Sequence, residues 1–130
     1  MNKTIQCIIS TISSILIYLF GGCDSLLISL IIVMVIDYIT GVCKGIYNKN
    51  VNSSIGLKGI LKKIGYLIIV ILATLFDNVI NDKSMAIRAL VIYFFISNEA
   101  ISILENWGSL GLPLPKKIFE VFEKLKDEQK

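Results

Sequence analysis

Four apolar stretches set the pattern of the chain, each close to membrane-helix length and each separated from the next by a polar break. The first covers residues 5–20 and ends at Gly21-Gly22, with Asp24 marking the turn. At 1.5 Å per residue it is about 24 Å long, slightly short for a hydrocarbon core of about 30 Å. Ser10, Thr11, Ser13 and Ser14 make it the least apolar of the four, and such hydroxyls can bond their own backbone or a neighbouring helix. The second stretch covers 25–47. Its apolar opening leads into Asp37, Thr40, Gly41 and Lys44, spaced i, i+3, i+4 and i+7 and hence on one helix face. The third covers 64–80 and gathers Thr74, Asp77, Asn78 and Asn81 at its far end.

The fourth stretch, 85–106, carries the most information. On a helix at about 100° per residue, Ser84, Arg88, Glu99, Ser102 and Asn106 fall within roughly 60° of one another. Asn98 and Glu105 lie on the flank of that stripe, while Leu90, Tyr93, Ile96 and Leu104 occupy the opposite face. A charge at the centre of a spanning helix costs about 2.5–3.5 kcal/mol, and the Leu, Ile, Val and Phe residues here return about 3–6 kcal/mol together. Arg88 and Glu99 therefore nearly cancel the gain. The helix needs neighbours, or water along its stripe, to sit in a bilayer. A soluble bundle helix would show the same stripe; the three other apolar runs argue against that reading.

The breaks carry the charge. Residues 48–63, NKNVNSSIGLKGILKK, read as a basic cytoplasmic loop with Lys49, Lys58, Lys62 and Lys63. Ile55, Leu57, Ile60, Leu61 and Ile64 suggest a short interfacial helix within it. The Gly/Lys alternation lacks the spacing of a phosphate-binding loop. The tail, 116–130, places Ile118, Phe119, Phe122 and Leu125 on one face and reads as a short amphipathic helix. Because lysines crowd the second break and the tail, both termini and the basic loop are expected to be cytoplasmic. Gly41 and Gly45 form a G-x-x-x-G, a surface for close approach of another helix. Within the bilayer the expected ion pairs are Lys44–Glu99, or alternatively Asp37–Arg88.

Composition agrees. The chain is 55% hydrophobic and 18% charged, with mean hydropathy +0.75, against about 45–50% and 25% for soluble domains. These features predict an all-α, multi-pass membrane protein in one domain, with about four transmembrane helices and a short amphipathic C-terminal helix. A secretory signal is the rival reading of the first run, but the next apolar run follows at once. The net charge of +3 comes with no basic stripe interleaved with aromatics, so nucleic acid is not an expected partner. There is no histidine, and the three cysteines have no C-x-x-C spacing. No catalytic, metal-binding or cofactor-binding set emerges, no small-molecule substrate is implied, and the chain reads as a non-enzyme.

Three motifs carry a resemblance. They are Asp37-x-x-Thr40-Gly41-x-x-Lys44; Gly56-Leu57-x-Gly59-x-x-Lys62-Lys63; and Asn98-Glu99-x-x-Ser102-x-x-Glu105-Asn106 followed by Gly111-x-Pro113-x-Pro115. Together they resemble the phage-lysis and toxin-secretion holins of Gram-positive bacteria and their phages. The resemblance implies a homo-oligomer in the bilayer of the bacterial cytoplasmic membrane. It implies large lesions that release a cell-wall hydrolase or a large toxin, and an inhibitory antiholin as a further partner. Family members commonly have three spans, which makes the first run an added, variable one. The competing reading from the residues alone is a small oligomeric ion channel or transporter subunit using Asp37 and Glu99.

Overall fold

The computed structural model describes residues 2–128 and is built from helices: α1 (Lys3–Phe20), α2 (Ser25–Tyr47), α3 (Ser53–Val79), α4 (Ala86–Ser109) and α5 (Lys116–Glu128). The first four are long and apolar enough to cross a membrane. Local chemistry sets most boundaries. Asn2, Asp24 and Asn52 each accept a backbone N–H of the first turn of the helix that follows, from Thr4, Leu27 and Ser54. Gly21 ends α1 in the left-handed region, at φ 76°. A Cβ there would sit 2.8 Å from Cδ and Nε of Arg88, so this turn accepts only glycine.

The third helix departs from expectation. It begins at Ser53, so only residues 48–52 form the break after α2, and Lys58, Lys62 and Lys63 are helical. The glycines at 56, 59 and 65 each cost about 1 kcal/mol of helix propensity. Capping by Asn52 and the continuous apolar spacing outweigh that cost. The resulting helix of 27 residues is about 40 Å long, more than a hydrocarbon core requires, and its first turns reach beyond the apolar layer.

The core is a three-helix packing in which α4 lies against both α2 and α3, while α2 and α3 touch each other only sparsely. Leu27, Leu30 and Met34 of α2 meet Val70 of α3 and Ile92 and Phe95 of α4. Tyr66 stacks on Phe95 with ring centroids 4.1 Å apart, fixing α3 to α4. α1 stands outside this packing except at its last residue, Phe20, which rests against the core; the helix contacts α3 but has no fully buried residue. α5 packs against α4. Its expected apolar face rests on Phe119, Phe122 and Leu125, whose side chains lie outside the described residues, as do Gln129 and Lys130 of the tail.

One end of the bundle is closed by Arg88. Its guanidinium donates to both carboxylate oxygens of Asp24, at 2.9 and 3.0 Å. It also donates to the carbonyls of Phe20, at 2.6 Å, and Gly22, at 3.2 Å. The α1–α2 turn is thereby clasped to the start of α4. The hydrogen bond from Arg88 holds the Asp24 carboxyl below the ordinary carboxylate value of 3.8. A group whose folded pKa is depressed stabilises the fold fully above its unfolded pKa and loses that contribution as pH falls through the folded one. The detergent-solubilised protein should therefore lose stability at pH values below the ordinary carboxylate range, and Asp24→Asn should abolish this acid-dependent part. Thermal unfolding followed by circular dichroism across that range measures both.

Candidate functional site

The polar residues of the second, third and fourth helices converge inside the bundle, toward the end opposite Arg88. Lys63 of α3 reaches between the other two helices. Its Nζ lies 2.6 Å from Oδ2 of Asp37 on α2 and 2.8 Å from Oε2 of Glu99 on α4. Asn106, one face-repeat further along α4, donates from Nδ2 to the carbonyl and Oδ1 of Asp37 and to Oγ1 of Thr40. Thr40 in turn donates to the carbonyls of Ile36 and Asp37. Glu99 is only 1% exposed and Asn106 is buried. The cluster thus joins three helices through one amine shared by two carboxyl groups.

These contacts differ from the expected pairs. Lys44 has no ion pair among the described residues, and Glu99 pairs with Lys63 instead. Arg88 does not meet Asp37; it belongs to the clasp with Asp24. Distance along the bundle explains both. Asp37 lies twelve residues into α2, about 18 Å from the end where Arg88 sits. Lys63 lies ten residues into a helix that starts at Ser53, which brings it to the depth of Asp37 and Glu99. The sequence signal was available: Lys63 stands at i−7 and i−4 from Val70 and Leu67, both on the inner face of α3.

The remaining predicted residues are dispersed. Ser102 lines a cavity of about 230 Å³ beside the cluster, together with Asp37, Gly41, Gly45, Lys63 and Asn106. Asn98 is half-buried, its side-chain oxygen enclosed without a hydrogen-bond partner. Glu105, Lys49, Lys58 and Lys62 are exposed, with Lys62 over the ring of Tyr66 at 5.7 Å. Gly41 and Gly45 face their own chain: a Cβ on Gly41 would meet Asn106 at 3.7 Å, and one on Gly45 the carbonyl of Asn50 at 3.5 Å.

A second buried carboxylate has a capping role that the pattern of residues left unassigned. α4 starts from Met85 in the left-handed region, with no capping side chain of its own. Asp77, fully buried at the end of α3, accepts the N–H groups of Ile87 and Arg88 at 3.2 and 2.8 Å. Asp82 accepts that of Ala86 at 3.3 Å. Two carboxylates thus cap the positive end of α4, Asp77 from within the bundle and Asp82 from the exposed turn.

The cluster makes a directional prediction. Lys63→Met leaves two carboxylates facing each other without a cation, and should destabilise the protein by about 3–5 kcal/mol. Adding Asp37→Asn and Glu99→Gln removes the charges as a unit and should restore most of the loss. Membrane accumulation and unfolding in detergent, compared across the single and triple variants, measure the coupling.

Comparison with known proteins extends this geometry. The family described as the bacteriophage holin family matches residues 14–127, which takes in all of α2, α3 and α4 but only the end of α1. An uncharacterized 14.9 kDa protein in the nagH 3' region of Clostridium perfringens is 37% identical over 121 residues, covering 93% of this chain and 92% of the relative. The uncharacterized protein Lmo0128 of Listeria monocytogenes is 40% identical over 99 residues, with 76% and 70% covered. The uncharacterized protein YqxH of Bacillus subtilis is 33% identical over 113 residues, with 87% and 79% covered. No solved structure matches the chain.

Proposed function

The chain belongs to the bacteriophage holin family, and from that membership we propose that it assembles in the bacterial cytoplasmic membrane into lesions that release a cell-wall hydrolase or a large toxin. The observation that carries this reading is the inward turn of the polar stripe. Arg88, Glu99 and Asn106 are buried inside one chain, while Leu90 and Tyr93 on the opposite face of α4 are more than half exposed. A single copy thus presents lipid with an apolar surface and holds its charges in reserve. When helices part, the same charges favour water over lipid and form the lining of a hole. An inhibitory antiholin partner fits this reading, since any chain that keeps the helices paired prevents the lining from forming.

The proposed orientation has both termini in the cytoplasm, on the strength of the lysines at 44, 49, 58, 62 and 63. Cys23 is exposed at the opposite end, beside Asp24. A membrane-impermeant maleimide applied to intact protoplasts should label Cys23 and leave Cys7 and Cys43 untouched. Labelling of Cys43 without Cys23 inverts the orientation.

Glu99 provides the functional test. Glu99→Leu leaves Lys63 paired with Asp37 at 2.6 Å, so the cluster keeps one amine facing one carboxyl and the protein should accumulate as well as the wild type. It loses the charge that favours a water-filled assembly, so release of a folded cytoplasmic reporter enzyme should fail. Normal accumulation with normal enzyme release sinks the role of the stripe as lining. Passage of small dyes or ions alone, in both forms, favours the small-channel reading instead.

A further inference from the structure

The bundle has an open end. Beside the 48–52 break, a cavity of about 230 Å³ begins between exposed Asn50, Val51 and Asn52 and runs down to Asp37 and Lys63. Asp37 lies ten residues from Tyr47, and Lys63 ten residues from Ser53. Both counts place the floor about 15 Å below the mouth, level with the middle of α2. Glycines at 41, 45, 56 and 59 form much of the wall. No heavy atom lies within 4 Å of a Cβ placed on Gly59, and one placed on Gly56 meets only the Tyr38 hydroxyl, at 3.7 Å.

Groups on this wall have hydrogen-bonding capacity that the protein does not fill. The Lys63 head group can donate three hydrogen bonds, and two of them go to Asp37 and Glu99. Ser102 and Tyr38 bring hydroxyls with no partner among the described residues. Asn52 accepts from Ser54 through its side-chain oxygen, and its NH2 has no acceptor there. Polar groups left over in a wall are satisfied by water where there is room, and this cavity holds several waters at about 30 Å³ each. Exposure falls off in the same direction. Lys63 and Asp37 keep 15% and 14% of their side-chain surface open, whereas Glu99 behind them keeps 2%.

We infer that the cavity is a water-filled vestibule, open to solution at the lysine-rich end and reaching the ion cluster at the middle of the bundle. It admits water and small hydrophilic solutes. Beyond the cluster the bundle is dry: Leu30, Val70 and Ile92 are fully buried, and Arg88 fastens the far end to Asp24. To the side, past Tyr38 and Lys63, lies a groove walled by Ile31, Val35, Ile64 and Leu67, residues that offer water no hydrogen bond. The inference needs only helices that cross a bilayer, and it stands apart from whether copies form lesions. Its consequence for that reading is an asymmetry: a hole has to be newly wetted only over the half between the cluster and Arg88.

The test is the reach of a charged thiol reagent, in the full chain with Cys7, Cys23 and Cys43 replaced by Ser. Sulfonatoethyl methanethiosulfonate does not cross lipid and attacks thiolates, which form in water and are disfavoured in apolar surroundings. It is applied separately to right-side-out and inverted membrane vesicles that retain a trapped dye. Asn50→Cys reports the side on which the mouth opens, which decides the orientation and not the vestibule. From that side Ser102→Cys and Tyr38→Cys should react at least about tenfold faster than Ile39→Cys, a neighbour of Tyr38 that is 55% exposed but lines no cavity. From the other side neither should react. Gly59→Phe, which narrows the passage, should slow Ser102→Cys and leave Asn50→Cys unchanged. Where Ser102→Cys fails to accumulate, Tyr38→Cys carries the test. Rates no faster than Ile39→Cys overturn the inference and give the cavity to lipid. Equal rates from both sides overturn it as well, because the dry half is then absent. Release of a folded reporter enzyme is scored separately: a vestibule without release removes the lesion-forming role alone, and release without a vestibule removes this inference alone.

Discussion

One ammonium shared between two carboxylates holds this bundle together. A bilayer offers no solvent to an ionised side chain, so each charge carried into it must be matched by another part of the protein. Lys63 meets that demand for Asp37 and Glu99 at once, and in doing so fixes the relative depth of α2, α3 and α4. The apolar core of Leu30, Val70 and Ile92 adds packing but could tolerate a slip along the helix axes. The ion cluster could not, because a shift of one turn would part the charges by about 5 Å. Register in this fold is therefore electrostatic first and steric second.

The same arrangement separates two tasks along the molecule. At one end Arg88 fastens the turn between α1 and α2 to α4 through four hydrogen bonds. At the other the cluster borders a cavity of about 230 Å³ lined by Asp37, Lys63 and Asn106. The first end is closed and the second is open.

Much of this was legible in the residues. The helical class, the four long apolar runs and the inward-facing stripe of α4 follow from periodicity and insertion cost, which are local properties. The partners of the charges were less legible. Lys63 resembled a loop lysine because Gly, Asn and Ser crowd the residues before it, and only the Asn52 cap reveals that α3 starts so early. Arg88 looked free to reach Asp37, and the depth of each residue along its own helix decides otherwise. The capping of α4 by Asp77 was hidden for a related reason: a cap borrowed from another helix leaves no short-range pattern. Gly41 and Gly45 matched a motif for contact between helices of different chains, and their nearest neighbours are Asn106 and Asn50 of their own chain.

That borrowed cap has a mechanical consequence. The first turn of α4 is finished in part by Asp77 of α3, so separating these two helices would strip the amides of Ile87 and Arg88 of a buried acceptor. The α3–α4 hairpin is accordingly the stiff lever of the molecule. The connection at 48–52, where Lys49 is held at positive φ, is the joint about which it can turn against α2. Rotation there breaks the Asp37 contacts to Lys63 and Asn106 together, and at the other end the hold of Arg88 on Asp24, because all three partners ride on the lever. Opening thus has to release both ends of α2 at once.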